Sequence, residues 1–131
     1  MQYGISKQQL LVTLEANEDQ TDKEGYAVKF SSGKAALQTS STAVDTIGII
    51  TDGAAAGSKS SVALAGIDAV VYAKLHSTAG TVNAGTFLQT HSDGTFKATA
   101  SSKNFAAQAL ESGSNSAMIK VRLLDVSGVT A

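Results

Sequence analysis

The sequence predicts an all-β fold: a small β-barrel or sandwich built from two similar β units, preceded by an extended N-terminal arm. Three observations predict it. A pattern of short strands and turns runs over about residues 25–66 and again over about 85–124. Gly-centred turn signals recur at short, fairly regular spacing between β-prone runs, as in all-β barrels and sandwiches. Ala, Ser, Thr and Gly supply roughly half the residues, a composition of strands, turns and lightly packed faces. Two copies are too few for a solenoid, so the units are expected to close on each other.

Residues 1–24 differ from the rest. Leu10-Leu11-Val12-Thr13-Leu14 is a compact apolar stretch, a short strand or one helical turn, and period alone cannot decide at that length. From Glu15 to Glu24 the chain is polar and mostly acidic, which reads as a solvated loop. Together they predict an arm, 1–24, tethered to a single β domain, 25–131; an ordinary first strand and loop is the alternative.

The first copy opens Gly25-Tyr26-Ala27-Val28-Lys29-Phe30 and turns at Ser32-Gly33, where positive φ is needed and Gly supplies it without a Cβ clash. It continues through a Ser/Thr-rich stretch to Ile47-Gly48-Ile49-Ile50, a small-residue loop, and the alternating Ser61-Val62-Ala63-Leu64. The longest β-prone segment runs over 62–73, and Gly66 inside it predicts a bulge or bend that lets the strand change sheet. The second copy opens Gly85-Thr86-Phe87-Leu88, has one extra residue in its Asp93-Gly94 turn, and ends on Ile119-Lys120-Val121-Arg122-Leu123. Ser101 to Leu110 is the helix candidate; alignment with Ile47–Ile50 assigns its second half to a strand.

At 131 residues the chain fits one domain, and 43% hydrophobic against 16% charged residues leaves apolar material for a core. Ten basic and eleven acidic residues give net charge −1 with no basic cluster, which argues against nucleic acid as a partner. Aromatics are 5% and Trp is absent, which disfavours carbohydrate platforms and single-strand grooves. Tyr3, Tyr26, Tyr72, Phe30, Phe87, Phe96 and Phe105 are scattered through strand positions and are expected in the core. Without cysteine there is neither a disulfide framework nor a thiolate metal site, and the chain is at home in a reducing cytoplasm. No signal-peptide layout opens it and no apolar run has the length of a bilayer span, so it is expected to be soluble and not exported classically.

Chemistry is hinted at in two places. Gly53-Ala54-Ala55-Ala56-Gly57-Ser58-Lys59-Ser60 nearly spells a phosphate-binding loop, but Ser58 stands where that motif needs Gly, and a strand rather than a helix follows. His76, His91 and Asp93 resemble metal ligands, yet two histidines without a fixed third spacing read better as exposed turn residues. No Gly-x-Ser-x-Gly elbow occurs, and the carboxylates of 15–24 are expected to be hydrated rather than tuned for acid–base work. No catalytic residue, cofactor or metal is therefore expected.

In order, Gly25-Tyr26-Ala27-Val28 with Gly33-Lys34, Thr46 to Gly57, and Ser61 to Gly66 resemble the small capsid-decoration (head-cement) proteins of tailed bacteriophages. Val82-Asn83-Ala84-Gly85-Thr86 before Asp93-Gly94, then Ala109-Leu110-Glu111 and Ile119 to Leu124, continue the resemblance, which covers 25–124. Phe105-Ala106-Ala107-Gln108 departs from the expected Gly-Val-Ala strand. The resemblance implies a structural virion protein, made in the host cytoplasm, that sits as a homotrimer on the outer surface of the expanded head. There it would bind the major capsid protein and cement neighbouring capsomers. It implies no catalytic residues. Ile5, Leu10, Leu11, Val12 and Leu14 are the expected capsid contacts, through an apolar segment that could extend a sheet edge of a capsid subunit. A module binding glycans or a host receptor is the alternative function.

Overall fold

Short runs of β-branched and small residues, cut by turns, form ten strands and no helix among the described residues of the computed structural model, which are 11–40, 45–65, 70–99 and 106–124. In chain order they are β1 (Leu11–Glu15), β2 (Ala27–Ser31), β3 (Lys34–Leu37), β4 (Thr46–Asp52), β5 (Lys59–Leu64), β6 (Val70–Lys74), β7 (Phe87–Thr90), β8 (Phe96–Ala98), β9 (Ala107–Ala109) and β10 (Met118–Leu123). They build two antiparallel five-stranded sheets, ordered β1-β5-β4-β2-β3 and β6-β10-β9-β7-β8. The all-β expectation holds, as a sandwich rather than a closed barrel. Each sheet curls until its edge strands meet at one parallel bridge, Ala16 with Ala35 and Leu75 with Phe96.

The second sheet repeats the first strand for strand. Leu11 opposite Ala63 in β1–β5 recurs as Val70 opposite Arg122 in β6–β10. Val28 opposite Leu37 recurs as Leu88 opposite Ala98, with the longer turn in the second copy. Backbone bonds recur too: Asn17 N–H donates to Ala35 O and His76 N–H to Phe96 O, both at 2.8 Å. Gly25 (φ 88°) and Gly85 (φ 93°) take the same left-handed conformation where each copy begins its second strand, a backbone region that side chains disfavour. The Ser32-Gly33 turn has positive φ at both residues, the primed geometry whose twist matches a two-residue hairpin.

This duplication starts one strand earlier than the sequence placed it. Leu11-Val12-Thr13-Leu14-Glu15 and Val70-Val71-Tyr72-Ala73-Lys74 lead their sheets at equivalent positions but share little beyond alternation. Leu11–Glu15 is correspondingly a strand of the first sheet, and the loop of 16–24 packs back onto that sheet. Ala16 and Gln20 are fully buried there. Gln20 Nε2 donates to Ala35 O (2.8 Å) and to Glu18 Oε2 (2.6 Å), and its Oε1 accepts from Ser60 Oγ (2.8 Å). Glu18 Oε1 also accepts from Leu37 N–H on the edge strand β3, and Glu24 Oε2 from Gly53 N–H. The acidic stretch thus satisfies backbone donors that the sheet would leave unpaired. Ile5 and Leu10 lie outside the described residues, as do Gly66, Phe105 and the first half of the 101–110 candidate; its second half is β9.

Successive residues of a strand point to opposite faces, and the central strands of the first sheet are buried on both. Ala27, Ile49 and Ala63 join the larger core with Val71, Leu75, Leu88, Phe96, Ile119, Val121 and Leu123 of the second sheet. Their neighbours Val28, Ile50 and Val62, with Ala35, form a smaller core against which Val12, Leu14, Leu37 and Leu64 pack half-buried. Each large side chain so buried contributes about 1.5–3 kcal/mol of transfer free energy. The copies are joined by Ala27 N–H to Gly94 O (2.8 Å) and Lys74 N–H to Gly25 O (3.0 Å).

Candidate functional site

The phosphate-loop lookalike is occupied by its own chain. Between β4 and β5, Gly53 N–H donates to Glu24 Oε2, Ala54 N–H to Ser60 Oγ, Gly57 N–H to Ala16 O and Ser58 N–H to Ala55 O. A phosphate would find those amides already paired and a carboxylate beside them. Gly53 is small for a packing reason: a Cβ there would overlap the Gln20 carbonyl oxygen.

The outward face of the second sheet is a different kind of surface. Val71 and Ala73 turn inward, so Val70 and Tyr72 turn out, as Phe87 does opposite the buried Leu88. With Met118 and Leu110 they put five large apolar side chains, 40–53% exposed, on a face they share with Lys120, Arg122 and Gln108. Lys120 lies opposite Tyr72, and Arg122 opposite Val70. A groove of about 370 Å³ runs beside them, lined by Glu24, Gly25, Ile50, Thr51, Tyr72, Met118 and Lys120 among others. The expectation that the aromatics are core is corrected here. Phe96 is buried, but Phe30, Tyr72 and Phe87 are 56%, 53% and 40% exposed. Inside and outside alternate along a strand, which puts Tyr72 and Phe87 on the outward register. Phe30 instead shares the side of Val28 and stands exposed beside the Ser32-Gly33 turn, past the end of that core.

Of the expected contact residues, Leu11 is 52% exposed on the edge strand β1. Val12 and Leu14 instead pack on the smaller core. Sequence reasoning missed the outward face of β6, β7 and β10, although the alternation in Val70-Val71-Tyr72-Ala73 carries the signal.

His76, His91 and Asp93 converge at the β6–β8 seam. His76 follows β6; His91 and Asp93 lie in the β7–β8 turn. The imidazole rings stack with centroids 3.8 Å apart, and His76 Nε2 is 3.6 Å from Asp93 Oδ2. Burial pushes the Asp93 carboxyl up, but hydrogen bonds from Thr95 Oγ1 and N–H, with His76, outweigh it and hold it below the ordinary carboxylate value. Loss of hydration first, then His76 and Lys97, hold His91 below the ordinary imidazole value against the pull of Asp93.

No family model matches the chain, and no curated protein matches it in sequence. Among solved structures it is similar to the N base of head fiber gp8.5 in bacteriophage phi29. The match has TM-score 0.63 at 12% identity and covers 88% of this chain and 94% of that one. At that identity the likeness shows a shared fold.

Proposed function

We propose that the chain is a non-enzymatic structural protein of a bacteriophage head, which binds the outer surface of the expanded capsid and cements neighbouring capsomers as a homotrimer. The observation that carries this reading is the fold shared with the base of a phage head fiber over most of both chains. The order of strand-and-turn motifs over 25–124 points the same way. In this reading the solvent-facing surface around Tyr72, Leu110 and Met118 meets the major capsid protein. Leu11, with Ile5 and Leu10 before it, adds a second contact along the β1 edge. Of the edge strands, β3 and β8 are already met by their own chain, so a trimer would pair copies along the leading strands β1 and β6. A protein that binds only the assembled lattice stabilises it by mass action, and many modest contacts repeated by symmetry add up.

The test is to mix the purified protein with undecorated expanded heads and sediment them. Saturable co-sedimentation is expected, and it should weaken when Tyr72 and Met118 are both replaced by Glu. Protein left wholly in the supernatant contradicts the proposal. A second reading, a module for glycans or a host receptor, is favoured by one feature: Tyr72 stands exposed beside a groove. Retention on a glycan array with no binding to heads would select it.

A further inference from the structure

We propose that His76, His91 and Asp93 form a binding site for one divalent transition ion of the Zn2+ class, which staples the β6–β8 seam of the second copy. One donor atom from each residue lies within 4.8 Å of the other two, without any backbone movement. Two imidazoles and a carboxylate are a donor set suited to Zn2+, leaving a position for water. Ligands on one Zn2+ stand roughly 3.3 Å apart. Binding would require the three side chains to rotate and the stacked rings to part.

The surroundings already orient the donors. His76 Nδ1 accepts from Thr78 N–H (3.1 Å) and lies 2.9 Å from Thr78 Oγ1, contacts that fix the ring with Nε2 toward Asp93. His91 Nδ1 has Ser92 Oγ at 3.1 Å in the same role. Thr95 N–H and Oγ1 both hold Asp93 Oδ1, so Oδ2 is the oxygen left toward His76.

The duplication supplies an internal control. Asn17 occupies in the first copy the place of His76, making the same backbone bond across the seam, and the first copy's turn is Ser32-Gly33. The fold therefore needs neither histidine at this seam, and the donor set is an addition of the second copy.

The test uses the untagged full-length protein, because these are the chain's two histidines. Titration calorimetry with ZnCl2 should show one ion per chain, and Zn2+ should raise Tm by several degrees. Imidazole 15N resonances of both histidines should shift together in the wild-type protein, a readout that needs no variant. His91→Ala and Asp93→Asn should each weaken binding about tenfold or more. Absence of heat, or imidazole resonances that do not move, overturns the site. Equal binding by the His76→Ala/His91→Ala protein, or Zn2+-driven dimerisation with half an ion per chain, overturns it as well.

Discussion

Gln20 sits in the most acidic stretch of the chain and is shut off from solvent. Its amide ties the strap after β1 to β3 and β5 at once, through Ala35 O and Ser60 Oγ. Replacing it by Ala empties a buried volume and takes the acceptor from the Ser60 hydroxyl, while Ala35 O keeps Asn17 N–H and Ser60 Oγ keeps Ala54 N–H. The cost is about 1–3 kcal/mol. Thermal or urea unfolding of Gln20→Ala should show a clearly lowered midpoint; an unchanged one contradicts the network. At the seam, His91 titrates below its ordinary value in the folded chain. Between the two values the unfolded state binds more protons, so stability rises with pH across that window and falls as pH drops below about 6.5. Asp93 carries the same sign in the lower window, because its carboxyl protonates at lower pH in the folded than in the unfolded chain. In the presence of a chelator, Tm should decline from pH 7 to pH 5, and His91→Gln should flatten that decline. A His91→Gln curve parallel to wild type would show that the imidazole does not contribute.

Among elements, β1 is the one whose role changes most between sequence and structure. Leu11 to Glu15 pairs along its length with β5, and Val12 and Leu14 cover the smaller core. Deleting 2–14 should therefore cost cooperative folding, whereas deleting 2–9 should keep a sharp transition; calorimetry separates the two. A folded 15–131 chain would put β1 back among dispensable elements. The sequence revealed the hairpins, because Ser32-Gly33 and the Asp93-Gly94 turn leave a local imprint wherever φ turns positive. It also revealed that Ala107–Ala109 is a strand, through its alignment with the first copy. It left β1 undecided, since five residues of that kind fit a short strand or one helical turn, and it read β6 only as the end of one β-prone segment over 62–73. It hid the seam cluster for a different reason. His76 and Asp93 meet because β6 and β8 converge at Leu75 and Phe96, a long-range bridge with no spacing to read. Gly48 was legible only as part of an apolar run. A Cβ there would overlap the Ala63 carbonyl oxygen in β5, so Gly48→Ala should destabilise by about 1–3 kcal/mol, read as a lowered midpoint in urea.

Over the whole molecule, one curled five-stranded sheet has been used twice, and the two uses differ in what covers them. The central strands of the first sheet are buried on both faces, whereas the second sheet shows water an outward face with Tyr72, Phe87, Leu110 and Met118. A sandwich joined in this way holds an extended surface in fixed shape, which suits recognition of another large surface. Glu at Tyr72 and Met118 should spare the unfolding midpoint, because both side chains stand outside either core. The central claim is that this surface stabilises an expanded phage capsid. Its most direct measurement is calorimetry of undecorated expanded heads with and without saturating protein. The account predicts that the capsid melting transition moves to higher temperature with the wild-type chain and less with the Tyr72/Met118 variant. A capsid transition that stays at the same temperature at saturating wild-type protein would contradict it.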